Sequence, residues 1–132
     1  MKVLHFLAAL AVIATSATAE EATPVQRAAE KMFEDAFTYM GVAYICQDAI
    51  GAAYYHSARS IAEQVVRKAV KSDADAVVIV DDFDKRTRRE NKKRAPAANY
   101  EKCMDTLMEA QTNSRVSRAR FDKAVEASSP RK

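Results

Sequence analysis

The chain is short of the residues that turns, sheets and most reactive centres require. Its 132 residues include two glycines, three prolines, two cysteines, two histidines and no tryptophan. Tight hairpins and phosphate-cradling loops depend on backbone with positive φ, for which glycine is the default residue, so two glycines exclude a Gly-rich nucleotide loop and argue against a β-rich fold. Helix is the reading this leaves. A structural zinc site takes about four ligands, whereas two cysteines and His56 are all that residues 20–132 offer, and the cysteines lack Cys-x-x-Cys spacing. Nucleophilic catalysis is equally constrained. A Ser-His-Asp or Cys-His arrangement would have to recruit His56, and no nucleophile-elbow pattern surrounds any serine. Glu30, Glu34, Asp35 and Asp48 lie on one expected helix, where a two-carboxylate mechanism stays open but solvent-facing acids are the simpler reading. The expectation is a non-enzyme without metal or cofactor.

Long apolar runs are missing everywhere except at the start. Lys2 is followed by an apolar stretch from Val3 to Ala14, and Ala17-Thr18-Ala19 supplies a small-x-small cleavage pattern. This predicts a secretory signal peptide over residues 1–19, cut before Glu20, and the run is too short to span a bilayer. No cysteine sits at the cleavage site, so no lipid anchor is expected, and residues 20–132 are expected to carry no transmembrane segment. The predicted location is the periplasm, with full secretion as the alternative. Residues 20–132 contain 20 alanines but only 19 Leu, Ile, Val and Phe together, about 17%, under the roughly 20% at which disorder becomes a concern. Over the same residues 20 Lys and Arg against 18 Asp and Glu leave a formal charge of only +2, which argues the other way, since self-repulsion is weak. The expectation is one thin-cored helical domain over residues 20–127 with a disordered tail at 128–132.

Cys46 and Cys103 form an even pair in an exported chain, which predicts a structural disulfide. Closing a loop of roughly sixty residues contributes up to about 4 kcal/mol in the chain-entropy model.

Apolar spacing divides residues 20–132 into helices. The first opens at Thr23-Pro24, a cap residue followed by proline at the first helical position, and carries Val25, Ala29, Met32, Phe33, Ala36, Phe37, Met40, Ala43, Tyr44, Cys46 and Ile50 at steps of three and four. Phe33, Phe37 and Tyr44 are expected in the core, Gly41 reads as a close-packing point and Gly51 as a stop or kink. A second helix runs to Lys71 with Tyr54, Ala58, Ile61, Ala62, Val65, Ala69 and Val70 inward; it begins either at Ala52 or at the capping box Ser60–Glu63, which leaves residues 51–59 open between helix and loop. Ala76–Val80 has no helical period of its own, so strand competes there. Helix is preferred because Ser72–Asp75 offers a start, Ala76, Ile79, Val80 and Phe83 share a face, and a lone strand has no partner. Ala95-Pro-Ala-Ala98 breaks that helix. Asn99 can cap the next, with Tyr100, Cys103, Met104, Leu107, Met108 and Gln111, and Asn113-Ser114 is expected to interrupt it before Val116, Ala119, Phe121 and Val125. The fold class is therefore an all-α bundle of four to five helices with one long-range disulfide.

Two surface features stand out. Lys85, Arg86, Arg88, Arg89, Lys92, Lys93 and Arg94 place seven bases in ten residues, a candidate anion-binding face for lipid or polysaccharide of the envelope. The simpler reading is a self-paired solvated helix, through Asp81 with Lys85, Asp82 with Arg86, Asp84 with Arg88 and Glu90 with Arg94. With no aromatic interleaved, nucleic acid is not an expected partner. A second basic group, Arg115, Arg118, Arg120 and Lys123, has Asp122 and Glu126 beside it and reads as a solvated flank. Tyr54, Tyr55 and His56, just past Gly51, are a candidate partner surface, the simpler reading being one tyrosine in the core and the other along the surface.

In architecture, a signal peptide, a short helical domain and one Cys46–Cys103 staple, the chain resembles the periplasmic acid-stress chaperones. No motif around Cys46 or Cys103 extends the resemblance, so no residue role follows from it. It implies what the residues also suggest, an exported accessory, chaperone-like, inhibitor or immunity protein acting by non-covalent contact with an unidentified protein partner.

Overall fold

The computed structural model describes residues 20–70, 72–92 and 99–131. The expected signal peptide, the Ala95–Ala98 break, Lys93 and Arg94 lie outside the described residues. Five helices and no strand are found among those described: α1 (Pro24–Ile45), α2 (Gln47–Ile50), α3 (Ala52–Arg67), α4 (Asp73–Glu90) and α5 (Tyr100–Ser128).

Local chemistry sets the boundaries. At the start of α1 the Thr23 hydroxyl accepts the Gln26 amide at 3.1 Å while the Gln26 side-chain oxygen accepts the Thr23 amide at 2.7 Å, a reciprocal capping box with proline at the first helical position. The helical path pauses at Cys46 and ends at Gly51, whose φ of +95° only glycine adopts without strain. The chain turns there directly into α3, so the start at Ala52 is the one adopted and residues 52–59 are helical. Ser72 caps α4 by accepting the Asp75 amide at 3.1 Å, and Ala76–Val80 is helix, as the preferred reading had it. Only Ala76 and Val80, one turn apart, point inward from that apolar run. Ile79, expected on the same face, is 40% exposed together with Val77 and Val78.

α1 and α5 pack antiparallel. Cys46 near the end of α1 is bonded to Cys103 near the start of α5, with Cα atoms 5.6 Å apart, and Phe121 near the far end of α5 joins Met32 and Ala36 of α1 and Val65 of α3 in one cluster. Buried positions recur at Met32, Ala36, Tyr39, Ala43 and Cys46 on α1 and at Cys103, Leu107, Ala110, Ser114, Ser117 and Phe121 on α5. Both series step by alternating fours and threes, the 3.5-residue period that keeps two helices in register. The interruption expected at Asn113-Ser114 is therefore absent. Ser114, 1% exposed, and Ser117 let the helices approach, and Ser117 returns its hydroxyl to the Ser114 carbonyl at 3.2 Å. Val116, Ala119 and Val125 face solvent rather than the core, as do Tyr100, Met108 and Gln111, because they fall off this register. The helix extends through Ser128, one residue into the expected tail.

α3 completes the core with Tyr55, Ala58, Ala62, Val65 and Val66, while Ala69, expected inward, lies exposed beyond its end. Phe33 and Phe37 pack against this core half-buried. Tyr39 is 1% exposed, and burial raises its phenol above the ordinary value against the opposing pull of its hydrogen bond with Ser57.

Candidate functional site

The expected aromatic surface at Tyr54-Tyr55-His56 is divided by the helix it lies on. Successive residues of a helix point about 100° apart, so Tyr55 enters the core at 2% exposure while Tyr54 stays at 36% and His56 is exposed. The placement of Tyr54 on the inner face is corrected to Tyr55. Its ring meets Tyr44 edge-on at 5.7 Å, and the His56 ring lies 5.9 Å away. Tyr54 and His56 are what remains available to a partner.

The basic run is divided in the same way. Arg88 lies over the core rings from the surface: its guanidinium carbon lies 5.3 Å from the Tyr44 ring centroid and 5.5 Å from that of Tyr55, and its Nε donates to Asp84 at 2.9 Å. Asp84 also faces Arg59 at 3.6 Å, and Arg59 bonds Asp81 as well. Asp81 thus serves α3 rather than Lys85, the partner its spacing suggested, and Lys85 takes Asp82 at 4.0 Å instead of leaving it to Arg86. No ion pair among the described residues engages Arg86, Arg89 or Lys92. Asp122, expected to neutralise its own helix, bridges to Lys68 beyond the end of α3 at 2.7 Å.

A mostly apolar opening lies elsewhere, along α1. Two adjoining grooves, of about 450 Å³ and 250 Å³, share Val42 and Ile45. The first lies between α1 and α4, floored by Phe37 and by Phe83, whose ring centroids are 4.4 Å apart. The second lies between α1 and the first turns of α5, beside Cys46, Cys103 and Thr106. Gly41 opens onto the first groove. A Cβ built there meets no heavy atom within 4 Å, so Gly41 is not the close-packing point its sequence context suggested but a gap in the helix surface. At the start of α5, Asn99 makes no side-chain capping bond and lines the second groove. Arg86 of α4 and Lys102 of α5 stand on the two outer walls.

Sequence reasoning missed this trough. The available signal was the width of the apolar arc on α1: Phe37, Val42 and Ile45 fall outside the Met32–Ala36–Tyr39–Ala43 register, so one packed neighbour cannot cover them.

The acids of α1 do not converge. Asp35 is 7% exposed and held by Lys31 at 2.9 Å, and its carboxylate raises that ammonium above its ordinary value; Glu30 and Glu34 are exposed, the latter also 3.5 Å from Lys31. Among the described residues no three His, Cys, Asp or Glu side chains are placed to hold a metal ion, and no helix is long and apolar enough to cross a membrane. Compared with protein-family models, curated proteins and solved structures, the chain matches none.

Proposed function

We propose that this is an exported, periplasmic binding protein that works by non-covalent contact, holding an apolar ligand or partner segment in the trough along α1. The observation that carries the reading is the half-covered face at Phe37, Gly41, Val42 and Ile45, left partly open because α4 packs chiefly against α3 and α5 reaches α1 along a different line. Binding sites are concave, mostly apolar and rimmed by a few polar groups, and grooves of this size fall at or near the range that small ligands use. The Cys46–Cys103 bond supports export, since such bonds persist in oxidising compartments, and it holds one wall of the trough. A purely ionic role for Lys85–Arg94 is less well supported, because Arg88 is committed to Tyr44, Tyr55 and Asp84 and Lys85 to Asp82.

Gly41→Leu tests the reading. Leucine is a better helix former than glycine by about 0.5–1 kcal/mol, so the variant is expected to unfold at higher denaturant, while its side chain occupies the trough. Titration with a neutral naphthylamine fluorophore should show affinity reduced by about tenfold or more, equivalent to about 1.4 kcal/mol. Undiminished binding by the folded variant refutes the trough as the site.

A further inference from the structure

The trough carries a charge pattern as well as an apolar floor. Arg86 and Lys102 overlook it from opposite walls, and neither takes part in an ion pair among the described residues. Of the carboxylates near Arg86, Asp82 pairs with Lys85, Asp84 with Arg59 and Arg88, and Glu34 with Lys31, while Glu101 and Asp105 stand exposed beside Lys102 on α5. Glu90, one turn beyond Arg86, is the remaining acid on the wall of the larger groove. The floor between the two cations is Phe37, Val42, Ile45 and Phe83, with the gap at Gly41.

From this juxtaposition we propose that the trough binds a single-chain anionic amphiphile, its alkyl chain along Val42 and Ile45 and its headgroup at the rim between Arg86 and Lys102. The inference rests on the trough being a binding site and adds the chemistry of the ligand. The division of labour is physical. Methylenes gain from leaving water in proportion to the apolar area they cover, whereas an anion loses its hydration on burial unless it is paired. An open groove resolves the conflict by taking in the chain and leaving the head in water beside a guanidinium and an ammonium. Arg86 presents a planar fork to a carboxylate or phosphate, and Lys102 adds a mobile point charge from the other side. A neutral apolar ligand would use the same floor but leave both cations idle, and a cationic one would meet repulsion from both walls.

Competition against the bound naphthylamine separates these cases. Four ligands with the same chain, each below its micelle concentration, are laurate, lauroyl lysophosphatidylglycerol, lauryl maltoside and lauryltrimethylammonium. At least one of the two anions is expected to displace the fluorophore at about a tenfold lower concentration than the maltoside or the cation. Which of them does so assigns the head as carboxylate or phosphate, and either result supports the proposal. Arg86→Gln with Lys102→Gln, both exposed positions, should bring the anions to the level of the maltoside and leave maltoside binding unchanged. Equal displacement by all four ligands, or an anion preference that survives the double variant, overturns the headgroup assignment and leaves the trough standing as an apolar site. No displacement by any of them, or displacement that Gly41→Leu leaves unaltered, overturns the trough reading together with this one.

Discussion

Along the α1–α5 contact, buried residues repeat every three or four positions from Met32 to Cys46 and from Cys103 to Phe121, and a disulfide closes one end. Helix α4 buries only Ala76 and Val80 as apolar side chains, exposes Val77, Val78 and Ile79, and is attached to α3 through Arg59–Asp81, Arg59–Asp84 and Arg67–Asp73, with Arg88 lying over Tyr44 and Tyr55. The difference is one of range and solvent. Apolar burial and a covalent link are not weakened by charge screening, whereas part-exposed ion pairs are screened at high ionic strength and each contributes modestly. The rigid pair therefore supplies the floor of the trough, and the ionically attached helix supplies one of its walls.

Breaking the rigid side should give the largest effect. Replacing Cys46 and Cys103 together by serine is expected to lower the unfolding free energy by about 4 kcal/mol, read from urea denaturation. A loss below about 1 kcal/mol would mean that the 3.5-residue register holds the pair with little help from the covalent link.

Breaking the ionic side comes next. Asp84→Ala removes a carboxylate that is 9% exposed and leaves Arg59 and Arg88 without their shared partner, at an expected cost of about 2 kcal/mol. The comparison sharpens if the loss is local: amide exchange should quicken through α4, and high salt should reproduce part of it in the parent protein, while Leu107 and Ala110 keep their protection. Equal loosening of α5 would show that the two regions open as one unit.

The smallest effect concerns Tyr39 inside the core. Its phenol is raised by burial, so the native state favours the protonated form. Below the ordinary tyrosine value near pH 10 that contribution is fully present; above it the unfolded chain ionises first and stability falls until the native phenol ionises too. Thermal unfolding followed from pH 8 to 11 should therefore show a declining limb that Tyr39→Phe flattens. A limb unchanged in the variant would assign the decline to other groups.

The helical class, the capping box at Thr23, the stop at Gly51, the cap at Ser72 and the pairing of Cys46 with Cys103 were all legible, because each follows from residues close in sequence or from the only available partner. The path of α5 was not. Asn113-Ser114 reads as an interruption when large apolar residues are counted, yet small side chains at a fixed register, here Ser114 and Ser117, are what close helix packing requires. The choice between Tyr54 and Tyr55 was equally hidden, since either can begin an inward face until the direction of α3 against α1 is known. The ion pairs moved for the same reason: Asp81 and Asp122 have acceptable partners one turn away, but residues of α3 and its C-terminal end reach them across the bundle.

Composition and local pattern determined by themselves that this chain is helical, where its first helix begins, that Gly51 stops it, and which two sulfurs can join. Tertiary structure alone decided that Phe37, Val42 and Ile45 would be left half-covered, that Gly41 would open a gap rather than close one, and that Arg86 would lose Asp82 while Arg88 lay over Tyr44 and Tyr55. The physical reason is that local preferences act over three or four residues along one helix. Whether a side chain finds a partner depends on how three other helices divide the surface of α1 among them.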